Sequence, residues 1–302
     1  MRPLEVEVAP PSPFRLPSYG GSDGVMRVEG GVASRLLTVG EAPVLVRAWE
    51  PGKGRVALRA EAADPAALAA PRSLPPAATR PAGRPELELA LERMRFALGV
   101  DDDLGPFYRR FRRDPLLGPA FRRRPHKRLR RRPWPWEALA WAVVKQLIES
   151  GRAARIQRRI VGRWGPRLGR DRAALRDVPA VATIAGRAPA ELASMDLSPA
   201  RSVALRAVAR EVAADRCDPA QAGADRRLLA VPEIGPWTVQ SLGLLGRGEA
   251  DSLPAGDLIY LKLIGRLARL GRRATVEEVE EFFAPYEPYR GLAGAWAAGM
   301  YG

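Results

Sequence analysis

The sequence is poor in cysteine and in long apolar segments. Its 302 residues include one cysteine, Cys217. A single thiol excludes an internal disulfide, a cysteine-rich zinc site and an iron–sulfur cluster, which needs about four thiolates. The chain has no run of about 18 apolar residues, and its N-terminus lacks the basic and apolar regions of a signal peptide. These absences predict a cytoplasmic protein with no membrane partner and no cofactor.

Lysine is also scarce. The chain has four lysines and 45 arginines, and its formal net charge is +15 at pH 7. Guanidinium groups match phosphate oxygens in pairs and stack on bases, so an arginine-rich cationic protein is a candidate for nucleic-acid binding. A genome rich in G and C encodes arginine in place of lysine throughout, which explains the composition equally well. Composition alone leaves both explanations open.

Most of the excess charge lies between Arg109 and Arg132, which we call the arginine segment. It contains 12 basic residues and one acid, Asp114. Its prolines and its lack of a clean apolar stripe predict a loop or short helical turns at the surface. We expect it to bind phosphates and release counterions, with Arg122, Arg123 and Arg124 as contacts. A solvated charge run without a binding role is the alternative.

The N-terminal part of the chain alternates apolar and polar residues in short runs, which is typical of β-strands. The predicted strands are Leu4–Val8, Val25–Glu29, Leu36–Val39, Val44–Ala48 and Val56–Ala60. Between the last two, Pro51–Gly54 predicts a hairpin turn. Residues 64–84 are rich in Ala and Pro and predict a linker that follows a short helix. We therefore expect a strand-rich domain over residues 1–85.

After residue 85 the apolar residues recur at helical spacing, which predicts a helical domain over residues 86–302. The main predicted helices are Trp136–Ile148, Ala153–Trp164, Pro189–Ala193, Pro199–Ala214, Arg226–Ala230, Pro236–Leu245, Leu258–Leu270, Val276–Phe283 and Gly291–Met300. Ser198 and Pro199 form a clear start signal, since serine caps a helix and proline suits its first turn.

The most informative stretch is Leu228–Gln240, in which a short helix is followed by a tight turn and a second helix. Pro236 suits the first position of that second helix, because a proline there loses no helical hydrogen bond. Backbone amides exposed at the turn favour a phosphate oxygen. A helix–turn–helix packing corner uses similar residues, so phosphate binding and simple packing are both open at this point.

A carboxylate follows this turn at a distance of 22 residues. Asp257 comes 22 residues after Gly235 and stands directly before the apolar run Leu258–Leu261. Capping a helix is the commonest role of an aspartate in that position. A catalytic role needs further support.

That support comes from a family resemblance. Val231–Thr238 followed by Leu253–Asp257 resembles the hairpin and catalytic-aspartate motif of the helix–hairpin–helix DNA glycosylases, within them bacterial 3-methyladenine DNA glycosylase II. Trp136–Leu139 leading to Gln146–Ile148, and Tyr286–Arg290, add to the likeness. The resemblance implies a mixed α+β fold, with a small antiparallel sheet before an all-α glycosylase domain. That domain would have two helical subdomains and an active-site cleft between them.

The resemblance also implies which residues act. Asp257 would be the catalytic residue, and Leu147 would be the wedge that fills the gap left by a flipped base, although an ordinary core leucine is the alternative. The other implied DNA-binding residues are Gln146 and the hairpin residues Pro232, Glu233, Ile234, Gly235, Pro236, Trp237 and Thr238. The implied base-pocket residues are Trp136, Trp237, Ser241, Leu258 and Trp296, although buried tryptophans more often belong to a core. A monovalent ion on the carbonyls of Leu229, Val231 and Ile234 is compatible with the family.

The chain departs from the family pattern at several positions. Trp237 stands where the members that cut the DNA backbone carry a Schiff-base lysine, which implies a glycosylase without lyase activity. Glu233 replaces a hairpin glycine and puts a carboxylate near the expected phosphate. Lys145 and Glu149 flank Gln146–Ile148 where small residues are usual.

We therefore expect a monomeric glycosylase that hydrolyses the N-glycosidic bond of a damaged, alkylated purine in double-stranded DNA. A non-catalytic DNA-binding or damage-sensing protein on the same fold is one alternative. RNA binding through the arginine segment is another.

Overall fold

A computed structural model describes residues 2–64, 68–69, 80–169 and 174–301. An antiparallel sheet comes first in the chain and a large set of helices follows it. The predicted mixed α+β fold is confirmed.

The N-terminal sheet has five antiparallel strands in the order β1-β5-β4-β3-β2. Their bounds are β1 Leu4–Val8, β2 Met26–Glu29, β3 Val32–Val39, β4 Ala42–Gly52 and β5 Arg55–Ala62. Gly52 pairs with Arg55 across the predicted hairpin. Gly54 in that turn has a φ of 73°, which a glycine accepts without strain.

A second, three-stranded antiparallel sheet was not predicted. It consists of β6 Leu68–Ala69, β7 Arg167–Leu168 and β8 Leu175–Arg176. Two-residue strands leave no alternating pattern in a sequence. The predicted linker and its short helix fall largely on residues 65–67 and 70–79, outside the described residues.

The helices lie within residues 84–301. They are α1 Arg84–Leu98, α2 Gly105–Phe111, α3 Leu117–Arg123, α4 Pro135–Lys145, α5 Ser150–Trp164, α6 Val181–Ala185, α7 Pro189–Ala193, α8 Pro199–Ala213, α9 Asp225–Leu229, α10 Pro236–Leu242, α11 Leu258–Leu267, α12 Val276–Phe283 and α13 Arg290–Tyr301. Ser198 caps α8 as predicted, because its hydroxyl accepts the amide of Arg201. Among the described residues, no helix is long and apolar enough to cross a membrane.

Three of the predicted helices end three residues earlier in the structure. Helix α4 stops at Lys145, and the chain then turns through Leu147 at a φ of 53°. Helix α10 stops at Leu242 and continues as the π-helical turn Gly243–Arg247. Helix α11 stops at Leu267. The early end of α4 leaves an exposed loop that contains Leu147 and lies beside the turn between α9 and α10.

Among the described residues, the buried side chains form three cores. One joins the large sheet to α1, whose residues Leu87, Leu91 and Met94 pack on the strands, so the core of the N-terminal unit extends beyond residue 85. The second core contains the inner faces of α4 to α10. The third combines α2 and α3 with α11 to α13. The two helical cores meet at the end of α4 and the start of α11.

A buried ion cluster joins the N-terminal unit to the helices. Arg132 pairs with Asp23 and with Glu137, the latter at 3.1 Å, and Glu137 also accepts the guanidinium of Arg35 at 2.5 Å. Burial alone raises the pKa of Asp23, but Arg132 and Arg35 beside it hold that pKa below its usual value. The indole of Trp141 donates to the same Asp23 at 3.1 Å.

The C-terminal half of the arginine segment is therefore structural. Arg128 donates to the carbonyls of Gly99 and Ser12, and its guanidinium lies 5.5 Å from the Phe14 ring centre. Arg131 pairs with Asp102 at 2.5 Å. This half is a loop, as predicted, but it is only partly at the surface, because its side chains bind protein groups far away in the sequence. Its N-terminal half forms the short helices α2 and α3.

Candidate active site

The site is built around the turn between α9 and α10, which we call the hairpin. The amide of Ile234 donates to the carbonyl of Val231 at 3.1 Å and closes the turn, while the Ile234 side chain is buried. Pro236 takes the first position of α10 as predicted. A methyl group placed on Gly235 would meet nothing within 4 Å, so this face of the hairpin is open to a ligand. Pro232, on the same turn, is exposed.

Glu233 occupies the strained position of the hairpin. Its φ is 68°, in the left-handed region that favours glycine, and its side chain is exposed. The structure thus agrees with the expectation that glycine suits this position better.

We expect Glu233→Gly to stabilise the protein by about 1 kcal/mol, because glycine adopts this backbone conformation without strain. Urea denaturation measures the change. Glu233→Ala is the matched control, since it removes the same carboxylate but keeps a Cβ. Equal stability of the two variants would show that the strain at residue 233 is negligible.

Asp257 stands at the start of α11 and faces α10. Its Oδ1 accepts the amide of Ile259 at 3.0 Å, which caps the helix, and its Oδ2 accepts the indole N–H of Trp237 at 3.4 Å. The backbone amide of Asp257 donates to the carbonyl of Pro254 at 2.9 Å. One carboxylate is therefore held by the helix start on one side and by the hairpin helix on the other.

A cavity of about 140 Å³ opens beside this carboxylate. Its walls come from α4, α10 and the segment that leads into α11, so it lies between the two helical cores. The lining residues are Arg132, Ala138, Trp141, Ala142, Lys145, Trp237, Ser241, Leu245, Pro254, Asp257 and Tyr260. The cavity combines aromatic walls, small side chains and charged groups.

Two of the predicted base-pocket residues, Trp237 and Ser241, line this cavity. The other three do not. Trp136 is buried in the core of α4 to α10, where its indole donates to the carbonyl of Pro179 at 3.1 Å. Trp296 is buried in the other helical core, and Leu258 is 42% exposed on the outer face of α11.

Two further cavity residues, Trp141 and Lys145, were not among the predicted pocket residues. Trp141 and Lys145 project from α4 one turn apart, and Tyr260 follows Asp257 by one turn of α11. Residues spaced by three or four share one face of a helix, so the spacing was visible in the sequence. Which face lines the cavity depends on how the helices pack. Burial and the charge of Asp257 both raise the pKa of Tyr260.

The loop after α4 presents two of the predicted DNA-binding residues. The side-chain amide of Gln146 donates to the carbonyl of Glu233 at 2.7 Å and to the hydroxyl of Thr238 at 3.0 Å. Gln146 thus ties this loop to the hairpin. The next residue, Leu147, has a φ of 53° and is fully exposed at 104%. The core-leucine alternative for Leu147 is excluded by this exposure.

A second, more open cavity of about 390 Å³ lies on the outer side of Asp257. It is lined by the loop after α4 and by one face of α11, including the exposed residues Leu258 and Ile259 and the cations Lys262 and Arg266. Asp257 therefore has an aromatic cavity on one side and, on the other, an open groove lined by two cations and by the acid Glu149.

The remaining predicted binding residues lie at the C-terminal end of α3 and directly after it. Arg122, Arg123 and Arg124 are exposed, and the guanidinium of Arg124 donates to the carbonyl of Gly299 at 2.8 Å. They do not line either cavity beside Asp257.

Known proteins resemble this chain in fold and in sequence. No family model matches the chain. One solved structure is that of an Archaeoglobus fulgidus protein described as 3-methyladenine DNA-glycosylase. Its alignment covers 99% of this chain and 98% of the Archaeoglobus chain, with a TM-score of 0.77 and 18% sequence identity. The chain has the helix–hairpin–helix DNA glycosylase fold. A Clostridium acetobutylicum 8-oxoguanine glycosylase/lyase shares that fold at a TM-score of 0.71 and 14% identity, covering 99% of this chain and 96% of the other.

Sequence relatives carry the likeness further. A Bacillus subtilis protein named "DNA-3-methyladenine glycosylase" is 25% identical over 200 residues, 64% of this chain and 66% of the relative. A Mycobacterium tuberculosis protein named "Probable bifunctional transcriptional activator/DNA repair enzyme AlkA" is 28% identical over 214 residues, 69% of this chain. The matched region is 42% of that relative, so the chain spans less than half of its length. The predicted resemblance to 3-methyladenine DNA glycosylases is confirmed.

Proposed function

We propose that this protein is a DNA glycosylase that hydrolyses the N-glycosidic bond of a damaged purine in double-stranded DNA. The names of the relatives make alkylated purines the first substrates to test. One observation carries the proposal. The Asp257 carboxylate, held by the Ile259 amide and the Trp237 indole, borders an aromatic cavity next to the hairpin. The names of the relatives above support the same activity.

The chemistry follows from the position of this carboxylate. As a base leaves, the sugar acquires positive oxocarbenium character, and a fixed anion stabilises that charge most where water is largely excluded. The hydrogen bonds to Ile259 and Trp237 fix the orientation of the Asp257 side chain before the reaction begins. Pre-orientation of this kind spares the reorganisation that a mobile carboxylate would need.

The surrounding surface suits a distorted duplex. A base must leave the stack to reach the cavity, at a cost of a few kcal/mol that is least for damaged pairs. In our proposal the exposed Leu147 side chain fills the space that the base leaves, and amides of the hairpin bind a phosphate near Gly235. Gln146 holds these two elements together. We also propose that the carbonyls of Leu229, Val231 and Ile234 would hold a monovalent ion, which would strengthen the binding of phosphate at the turn.

We expect Leu147→Ala to lower the rate of base release about 10- to 100-fold, because the extruded state loses the apolar contact that offsets unstacking. The stability of the protein should stay within about 0.5 kcal/mol of the original, since the side chain is fully exposed. Single-turnover release from a lesion duplex measures the effect. Val203→Ala, at an exposed apolar position on α8, is the control, and an equal rate in both variants would remove Leu147 from the mechanism.

We propose that Arg122, Arg123 and Arg124 add a phosphate contact outside the cleft. Changing all three to Ala should weaken DNA binding evenly across sequences. It should also reduce the slope of log affinity against log salt concentration by the amount expected for the loss of about two to three phosphate contacts. The control changes Arg47, Arg55 and Arg59 on the N-terminal sheet, which alters the net charge by the same amount. An unchanged salt slope in the α3 variant would place this cluster in solvent only.

Base release without strand cleavage is the expected outcome. Trp237 occupies the position at which the lyase members of the family carry lysine, and its indole is engaged with Asp257. Borohydride reduction traps a Schiff base between a lysine and the abasic sugar. We expect no trapped complex, and a trapped complex would show that another lysine performs a lyase step.

The single experiment that tests the function is a panel of duplexes, each with one defined alkylated, deaminated or oxidised base. We expect release of at least one free base by the protein acting as a monomer. Normal binding without any release would favour the damage-sensing alternative. Equal binding of structured RNA, without preference for lesion DNA, would favour RNA binding through the arginine segment.

A further inference from the structure

The cavity beside Asp257 has a lysine, Lys145, in its lining. Lys145 lies at the C-terminal end of α4, on the same face as Ala138, Trp141 and Ala142. Those side chains form one wall of the cavity. The position of Lys145 therefore places an ammonium group at the space in which a flipped base would be bound.

The other cation of the cavity is already neutralised. Arg132 pairs with Asp23 and Glu137, so its charge is balanced within the protein. Lys145 differs from it. Within the part of the chain that the structure describes, no carboxylate lies within 4.0 Å of the Lys145 ammonium and no oxygen accepts a hydrogen bond from it.

The environment makes this ammonium costly without a partner. Burial lowers the pKa of Lys145 and the charge of Arg132 lowers it further, whereas Asp23 and Asp257 act in the opposite direction. A half-buried cation without a hydrogen-bond acceptor is stabilised by any ligand that brings one. The ammonium has three donors and no acceptor, so it distinguishes ligands by charge and by the presence of a lone pair.

This chemistry divides damaged bases into two classes. Methylation at N3 or N7 of a purine nucleoside gives the base a positive charge, which aromatic walls attract but an adjacent ammonium repels. A deaminated or otherwise uncharged base presents a carbonyl or ring nitrogen that accepts a hydrogen bond. Like charges held close in a site of low dielectric are a strong means of rejecting the wrong ligand.

We propose that Lys145 is a specificity-determining residue that selects uncharged damaged bases with a hydrogen-bond acceptor and rejects bases that carry the positive charge of alkylation. The inference rests on the proposed glycosylase function. Within that function, it makes uncharged damaged purines, in place of cationic alkylated ones, the preferred substrates of this cavity.

The test compares two duplexes, one with hypoxanthine, which is uncharged and has a carbonyl acceptor, and one with the cationic base 7-methylguanine. Single-turnover release is measured for the original protein and for Lys145→Met, which keeps the length of the side chain and removes its charge. We expect the ratio of hypoxanthine to 7-methylguanine release to fall about 100-fold in Lys145→Met. Lys145→Arg should keep the original preference. Lys262→Met, on the outer groove, changes the total charge equally and should leave the ratio unaltered.

A second measurement keeps the inference testable if release is slow. Affinities for the same two duplexes are measured in the Asp257→Asn background, with and without Lys145→Met, and the ratio should move in the same direction. An unchanged ratio, or an equal loss on both duplexes, would overturn the inference while leaving the glycosylase function standing. Absence of release from every duplex of the larger panel would overturn the function itself.

Discussion

Replacing Asp257 with Asn should reduce base release by about 1,000-fold or more, since the variant loses the negative charge that stabilises the oxocarbenium-like sugar. Asparagine caps a helix as well as aspartate does, so α11 should keep its start at residue 258. The substitution thereby separates the two roles of this side chain. Free-base release under single-turnover conditions gives the rate, and thermal unfolding checks the fold.

The affinity of Asp257→Asn for lesion DNA should stay close to that of the original protein, because the proposed DNA contacts are unchanged. These contacts are the hairpin, Leu147 and the arginines at the end of α3. Asp251→Asn serves as the control, since Asp251 pairs with Arg290 outside the cavity. Turnover at the original rate in Asp257→Asn would reduce Asp257 to a helix cap. Loss of turnover together with loss of binding would point to a folding defect.

Arg132→Met should destabilise the protein by about 3–5 kcal/mol, because it leaves Asp23 and Glu137 buried without their shared cation. The side chains of these two acids are 0% and 1% exposed, so water cannot replace the lost partner. The shift of the urea unfolding midpoint measures the loss. Arg122→Met, which removes an exposed arginine, should change stability by less than about 0.5 kcal/mol.

A second substitution checks the cause of this loss. In Arg132→Met, Glu137 keeps its ion pair with Arg35, whereas Asp23 has lost its ion-pair partner. Adding Asp23→Asn removes that unpaired charge and should recover part of the stability. The side-chain carbonyl that this substitution leaves at position 23 can still accept the Trp141 indole N–H. Equal stability of Arg132→Met and Arg122→Met would contradict the role of the cluster as the joint between the N-terminal unit and the helices.

The sequence was most informative where a function depends on short local spacing. The hairpin residues and Asp257 could be found because proline, glycine and a capping aspartate have strong local preferences. The strands of the large sheet and most helices follow from periodicity, and their bounds differ from the prediction by a few residues. The end of α4 was missed because neither Gln146 nor Leu147 is a glycine or a proline, the residues that mark a helix break most clearly.

Features that depend on distant residues could not be predicted. Asp23 and Arg132 lie 109 positions apart, so the sequence shows two separate charges rather than one buried pair. The same limit explains the base pocket. Trp136 and Trp141 are equally good pocket candidates as residues, and only the packing of α4 shows that Trp141 borders the cavity while Trp136 is in the core.

The two halves of the arginine segment have different environments, so its composition does not indicate one role for the whole segment. Arg122, Arg123 and Arg124 are exposed, in agreement with the predicted surface location. Arg128 and Arg131, only a few residues later, bind carbonyls and a carboxylate of the protein. Guanidinium groups serve both purposes well, since they bind carbonyls, carboxylates, aromatic faces and phosphates alike.

Binding of a charged abasic analogue tests the central claim without any knowledge of the lesion. A duplex with a pyrrolidine abasic site carries a positive charge where the oxocarbenium charge develops, and a duplex with a tetrahydrofuran site is its uncharged counterpart. If Asp257 stabilises the departing sugar, the protein binds the pyrrolidine duplex at least about 100-fold more tightly, and Asp257→Asn abolishes that difference. Equal affinity for the two duplexes in the original protein would contradict a catalytic role for the Asp257 carboxylate.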